Sequence, residues 1–148
     1  MRRHHEVVFI EGVRTPFGKA GEGGLYEHTR ADDLVVACLR ELMRRHPELP
    51  PERIGDVAVA ASTQIGDQGL TLGRLATVLA GLPRSVPGYS IDRMCAGAMT
   101  AVTTSAGSIA FGAVDVALAG GVEHMGRHPM GSCMACAACW SGRPGTAG

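Results

Sequence analysis

Apolar residues follow two alternating patterns along the chain, and together these predict an order of strands and helices. Short, mostly β-branched apolar runs predict four strands, over residues 7–13, 56–61, 86–91 and 114–119. Apolar residues at helical spacing between these runs predict three helices, over residues 29–45, 70–80 and 95–112. The resulting order β-α-β-α-β-α-β is typical of an α/β fold with a mainly parallel sheet and helices on both faces.

The third predicted helix consists almost entirely of small and apolar residues. No charged residue occurs between Cys95 and Val114. A helix on the surface of a soluble protein carries charged residues on its outer face, so we predict that this one is buried on most sides. Such burial requires a larger protein around the helix or a second copy of a similar layer.

The composition is that of an ordinary globular domain and excludes several functional classes. Of the 148 residues, 45% are hydrophobic and 19% are charged, and the formal net charge is zero. We therefore expect no nucleic-acid partner, since basic stripes and stacking aromatics are both lacking. No apolar run reaches the length of a membrane span. The five cysteines are an odd number and three of them crowd the last 17 residues, so we expect a reducing, cytoplasmic location.

Cys95 stands out by its position in the predicted fold. It follows the carboxyl end of the third strand and begins the third helix, at the edge of the sheet where ligands bind in open α/β folds. The free N–H groups and dipole at a helix start favour a reactive thiolate. Position alone leaves two interpretations equally open, a nucleophile and an inert core cysteine. Cys38, on the apolar face of the first helix, is predicted to be inert.

Four stretches resemble motifs of the thiolase family, in the family's order and over residues 7 to about 130. The clearest is DRMCAGAM at Asp92–Met99, which resembles the segment around the family's acyl-accepting cysteine, with Asp92 in place of the usual asparagine. The others are RTPFGK at 14–19, the segment from Gln64 to Arg74, and ALAGGVEHM at 117–125. The resemblance favours the first interpretation of Cys95, as the nucleophile.

The resemblance implies a fold, an activity and a set of partners. Residues 1–131 would form the amino-terminal half of a thiolase-like α/β fold, left incomplete. The activity would be cleavage of a 3-ketoacyl-CoA into acetyl-CoA and a shortened acyl-CoA, or the reverse condensation, through an acyl group on Cys95. Coenzyme A would be a substrate, and the residues that bind coenzyme A are not assigned. No bound cofactor and no metal would be needed. Fatty-acid β-oxidation would be the setting, in a homodimer or homotetramer that could include a β-oxidation partner subunit.

The same resemblance predicts that this chain alone is inactive. In thiolases the catalytic base is a histidine in a Gly-His-Pro motif and the second cysteine lies in a Cys-x-Gly-x-Gly motif, and neither motif occurs in the 148 residues. A fifth strand also belongs to the later part of family chains, so we expect an uncovered sheet edge, low stability and aggregation. His124 and His128 are predicted to be packed or solvated loop residues, and His46 a solvated one.

The last residues allow an alternative function. Cys133, Cys136 and Cys139 have the spacing of iron–sulfur or zinc ligands, which would suit a small non-catalytic metal or redox protein. However, residues 132–148 contain no acidic or branched aliphatic residue, which is typical of an out-of-frame translation. We therefore expect a disordered tail there. A further alternative is an enzyme completed by a separate chain that supplies the missing histidine and cysteine.

Overall fold

A computed structural model describes residues 5–129 and contains one three-stranded parallel sheet. The strands are β1 (Ile54–Ala60), β2 (Tyr89–Ile91) and β3 (Val116–Gly121), and β1 lies between the other two. The helices are α1 (Ala31–Arg45), α2 (Leu72–Ala80) and α3 (Gly97–Phe111). All of these elements lie within or beside the ranges predicted from the sequence, and the parallel α/β class is confirmed.

The side chains of β1 alternate between the two faces of the sheet, as the pleat of a strand requires. Val57 and Val59 belong to the main apolar core, together with residues of α1 and α2. On the opposite face, Ala60 lies against the beginning of α3. Helices therefore cover both faces of the sheet, as predicted.

The predicted strand over residues 7–13 is wrong for the described structure. Residues 5–20 form no helix or strand, and Phe9 and Ile10 are 81% and 74% exposed. Within residues 5–129, the segment makes one backbone hydrogen bond to another element, from His5 N–H to the Ala110 carbonyl at 3.0 Å. A strand requires a neighbouring strand to satisfy its backbone groups, and no described strand lies beside this segment.

The same segment is held to the end of α1 through Glu11. The Glu11 carboxylate is paired with Arg45 and lies 2.8 Å from His46 Nε2. His46 Nδ1 lies 3.0 Å from Glu48, and the Glu48 and Glu11 carboxylates raise the pKa of His46. The side chain of His46, predicted to be solvated, is 26% exposed, and two carboxylates that the sequence pattern does not predict hold its ring.

The described residues bury α3 on one side, and its predicted burial on most sides stays a prediction, because it requires a further protein layer. Only Gly97, Ala101 and Ser105 are buried, and they face the sheet. Elsewhere on the helix, Met99 is 66% and Phe111 73% exposed. The predicted uncovered apolar surface is therefore present, whereas low stability and aggregation stay predictions.

The stretch from Met94 to Phe111 is the single one in the described part of the chain that is long and apolar enough to cross a membrane. Helices packed between two protein layers have the same composition, so length and composition alone do not place α3 in a membrane. The absence of a membrane span stays a prediction.

Candidate active site

The three strands end at one edge of the sheet, and hydrogen bonds hold their ends together. Ala61 N–H donates to the Ile91 carbonyl at 3.2 Å, which joins the end of β1 to that of β2. Val122 N–H donates to the Ala60 carbonyl at 2.9 Å, which joins β3 to β1. The Glu123 carboxylate also accepts a hydrogen bond from Ser62 N–H. The hydrogen-bonded carboxyl edge is therefore a fixed platform, because it sets where each of the following loops begins.

Cys95 lies on this platform, where the sequence pattern predicts it. The chain leaves β2 at Ile91 and enters a short 3₁₀ turn, Met94–Ala96, that leads directly into α3. The Cys95 side chain is exposed to solvent. Because it lies exposed between the end of β2 and the start of α3, Cys95 can contact a ligand, which a cysteine in the core cannot.

Small residues allow the start of α3 to lie directly on the strand ends. A Cβ atom added to Gly97 would lie 2.9 Å from Ala60 Cβ, and one added to Gly121 would lie 3.0 Å from the Ala60 carbonyl oxygen and 3.2 Å from Ala98 Cβ. Larger side chains at these positions would push α3 away from the sheet. The glycines and alanines around Cys95 therefore set the distance between the start of α3 and the strand ends.

An open cavity of about 1260 Å³ lies beside this edge, and Cys95 is part of its wall. The other walls come from β1, from β3 and the residues after it, from α1 and α3, and from the extended segment before α1. Most of the lining is apolar. The sequence pattern does not predict this cavity, because it depends on the position of a segment that was expected to be a strand.

Cys38 also lines the cavity, but its chemistry differs from that of Cys95. It lies partly buried on the apolar face of α1. Burial raises the pKa of its thiol, which disfavours the reactive thiolate at neutral pH. This agrees with the prediction that Cys38 is inert.

His124 follows β3 near the site but is held in a structural role. Its Nε2–H donates to the Tyr26 carbonyl at 2.8 Å, and its Nδ1 accepts from Arg127 N–H at 3.2 Å. The residue is only 7% exposed, and its own N–H donates to the Gln68 side chain. Because both ring nitrogens are occupied, His124 fits the prediction of a packed loop residue and does not supply a free base.

Asp67 forms a buried ion-pair cluster that the sequence pattern does not predict. Its side chain is 3% exposed, pairs with His128, and accepts a hydrogen bond from Arg127 Nε at 2.9 Å. Burial raises the pKa of Asp67, but the hydrogen bond with His128 and the nearby positive charge of Arg127 outweigh this effect, and the pKa lies below its usual value. The cluster joins the loop after β1 to the turn after β3, and His128 is packed there as a structural residue.

We predict that Asp67→Asn lowers the free energy of unfolding by about 2 kcal/mol at neutral pH, because Arg127 and His128 lose a buried anionic partner. A carboxyl whose pKa is lowered on folding contributes stability above its unfolded pKa, near 3.8, and loses that contribution as the pH falls through its folded pKa. The difference from the parent should therefore shrink below about pH 4. Urea unfolding at neutral and acidic pH measures both effects.

Asp115→Asn is the matched control for this substitution. Asp115 is 78% exposed and its pair with Arg53 is long, at 3.6 Å. Pairs of this kind contribute little to stability, so the control should unfold close to the parent at every pH. Equal effects of the two substitutions at neutral pH would contradict a stabilising role for the Asp67 cluster.

No group of three or more histidine, cysteine, aspartate or glutamate side chains within residues 5–129 has an arrangement that would hold a metal ion. The proposed ligands Cys133, Cys136 and Cys139 lie outside the described residues. The domain boundary at 131 and the tail 132–148 lie outside them as well, and both stay predictions.

Comparisons with known proteins agree with the resemblance of the chain to the thiolases. Residues 7–141 match the family described as thiolase, N-terminal domain. The chain belongs to the thiolase family. The match extends beyond Gly131 into the segment predicted to be an out-of-frame tail, and the described residues give no structure there.

Curated thiolases share about two fifths of their residues with this chain over the matched region. A 3-ketoacyl-CoA thiolase of Yersinia enterocolitica is 41% identical over 124 residues, which cover 84% of this chain and 32% of the relative. The 3-oxoadipyl-CoA/3-oxo-5,6-dehydrosuberyl-CoA thiolase of Escherichia coli is 43% identical over 124 residues, which cover 84% of this chain and 30% of the relative. The chain thus spans about a third of the length of these thiolases.

A solved structure confirms the thiolase fold of the described residues. The acetyl-CoA acetyltransferase of Bacillus anthracis superposes with a TM-score of 0.67 at 32% identity, over 74% of this chain and 27% of that enzyme. The parallel sheet with helices on both faces is therefore the amino-terminal part of a thiolase fold.

Proposed function

We propose that this chain carries the nucleophile of a thiolase that cleaves 3-ketoacyl-CoA, and that Cys95 is the residue that takes the acyl group. The observation that carries the proposal is the position of Cys95, exposed at the start of α3 on the carboxyl edge of the sheet and inside a thiolase motif. The several 3-ketoacyl-CoA thiolases among the relatives support the substrate class.

The proposed chemistry proceeds in two steps. The Cys95 thiolate attacks the 3-keto carbon, the bond between C2 and C3 breaks, and acetyl-CoA leaves after its C2 takes up a proton. The thiolate of free coenzyme A then attacks the thioester on Cys95 and releases the shortened acyl-CoA. N–H groups at the start of α3 are suited to stabilise negative charge near Cys95. The reverse order of steps gives condensation.

The proton transfers need groups beyond the described site. His124 is occupied by two hydrogen bonds and His128 by Asp67, so neither is free to act as the base. We therefore propose that the activity belongs to a thiolase chain of the full family length, or to this chain joined by a partner that supplies a histidine and a second cysteine. Coenzyme A is the proposed co-substrate, and β-oxidation in the cytoplasm by a homodimer or homotetramer is the proposed setting.

A chimera tests the proposal directly. Residues 5–129 of this chain would replace the aligned segment of the Yersinia enterocolitica 3-ketoacyl-CoA thiolase, which supplies the rest of the fold. We expect the chimera to cleave a 3-ketoacyl-CoA with ping-pong kinetics, whereas the 148-residue chain alone does not. The recipient enzyme is the positive control. A chimera that folds, by size-exclusion chromatography and circular dichroism, but releases no acetyl-CoA would refute the proposal.

A further inference from the structure

The backbone immediately before Cys95 has an unusual conformation that its own sequence does not favour. Met94 has a φ angle of 48°, in the left-handed region. Left-handed conformations are unfavourable for residues with a long side chain, and glycine usually occupies such positions. The Met94 side chain is 60% exposed, so its packing does not offset this cost.

One side-chain hydrogen bond holds this conformation from within the loop. Met94 N–H donates to Asp92 Oδ1 at 2.9 Å, which closes a short ring over Arg93. The turn continues with Ala96 N–H donating to the Arg93 carbonyl at 3.1 Å. Aspartate and asparagine side chains stabilise turns in this way because their short acceptors reach the N–H group two residues later.

The geometry points to Asp92 as a positioning residue for Cys95, acting through the backbone of Met94. By holding Met94 left-handed, Asp92 directs the chain from the end of β2 into the 3₁₀ turn and presents Cys95 at the first N–H groups of α3. The inference deepens the proposed function and rests on it, since positioning matters only for a cysteine that reacts.

Asp92 stands where the family motif usually has asparagine, and substitutions at this position can separate the effect of the hydrogen-bond acceptor from that of the negative charge. Asparagine at position 92 keeps the Oδ1 acceptor and removes the negative charge, whereas alanine removes both. If the acceptor is what matters, Asp92→Asn preserves the reactivity of Cys95 and Asp92→Ala lowers it. Glycine at position 94 adopts positive φ without strain, so Met94→Gly should compensate for the loss of Asp92.

The test measures the rate at which iodoacetamide alkylates Cys95 in the folded 148-residue chain at neutral pH. Trypsin places Cys95 alone among cysteines in the peptide Met94–Arg127, and Cys38 alone in Ala31–Arg40. Mass spectrometry therefore follows both thiols in one sample. Cys38 is partly buried, so its rate reports unfolding, and Cys95 in urea gives the rate of an unpositioned thiol.

We expect Asp92→Ala to slow the alkylation of Cys95 about fivefold, towards the rate in urea, with the rate of Cys38 unchanged. Asp92→Asn should react about as fast as the parent, because the amide keeps the Oδ1 acceptor for the Met94 N–H group. The double variant Asp92→Ala with Met94→Gly should recover at least half of the lost rate. A general loosening of the fold would raise the rate of Cys38 instead.

Equal Cys95 rates in the parent and in Asp92→Ala would overturn the inference, as would an Asp92→Asn variant as slow as the alanine variant. A double variant no faster than Asp92→Ala would show that Met94 does not transmit the effect. Alkylation does not depend on acyl transfer, so failure of this test is distinguishable from failure of the chimera to cleave 3-ketoacyl-CoA.

Discussion

Replacing Cys95 with serine in the chimera is expected to lower the rate of 3-ketoacyl-CoA cleavage by at least about 10³-fold, as in other enzymes that lose their nucleophile. Serine fills nearly the same volume, but its hydroxyl is far less nucleophilic than a thiolate, even beside the histidine that the recipient enzyme supplies. The loss should appear in kcat, since the side chain is small and contributes little to substrate binding. Acetyl-CoA release measures it.

Cys38→Ser is the matched control for the nucleophile. Cys38 lines the same cavity, so a general effect of removing a thiol there would appear in both variants. Because burial raises the pKa of Cys38, we expect its serine variant to keep most of the parent activity. Mass spectrometry of the parent with substrate should also find the acyl group on the peptide Met94–Arg127. Comparable activity of the Cys95 variant and the parent would remove Cys95 from the mechanism.

The largest effect on stability is expected for Gly73→Ala in α2. A Cβ atom at this position would lie 2.2 Å from the Tyr89 carbonyl oxygen and 2.8 Å from that of Val57. Both are backbone atoms of the sheet, so relief requires α2 to move away from β1 and β2. We predict a loss of about 3 kcal/mol or more in the free energy of unfolding, measured by urea denaturation followed by circular dichroism.

Gly107→Ala gives the same chemical change with the opposite expectation. Gly107 lies within α3, and a Cβ atom there would meet no atom within 4 Å. Alanine favours the helix over glycine, so this variant should gain about 0.5–1 kcal/mol. If Gly73→Ala unfolded at the same urea concentration as the parent, direct backbone packing of α2 on the sheet would be refuted.

The helices and the parallel order could be predicted from sequence because their signals are local. Apolar spacing in α1 and the left-handed glycines that end α2 and α3, Gly81 and Gly112, act within one or two turns. The position of Cys95 followed from the same local order. Its place at the sheet edge needed one further rule, that parallel strands present their carboxyl ends at one edge.

The failures concern features that depend on distant partners. The pattern of residues 7–13 records a local preference for extended backbone, but a strand also needs a neighbour. The range expected for β2 was too long, because Pro87 has no N–H group to donate and Gly88 packs against Gly73. Likewise, the small apolar residues of α3 predict that the helix is covered, but they do not predict which part of the protein covers it.

The Asp67 cluster could not be predicted for a related reason. Asp67 lies beside Gly66 in a short loop, where aspartate is usually a turn residue exposed to water. Its partners Arg127 and His128 are some sixty positions later in the sequence. Only the parallel pairing of β1 with β3 brings the loops after these strands together. The signal that existed was an acidic residue after one strand and basic residues after another.

The pairing of the strands has a consequence for the order of folding events. Both partners of β1 are parallel to it and follow it in the sequence, and β3 begins only at Val116. Parallel pairing across long loops is slow to form, whereas α1 and α2 need only nearby residues. During synthesis, β1 cannot pair with β3 until nearly the whole described region has been made, so one edge of β1 and its apolar side chains stay uncovered. Slower translation lengthens the time for which β1 is unpaired. The yield of soluble chain should therefore depend on the speed of synthesis as well as on stability.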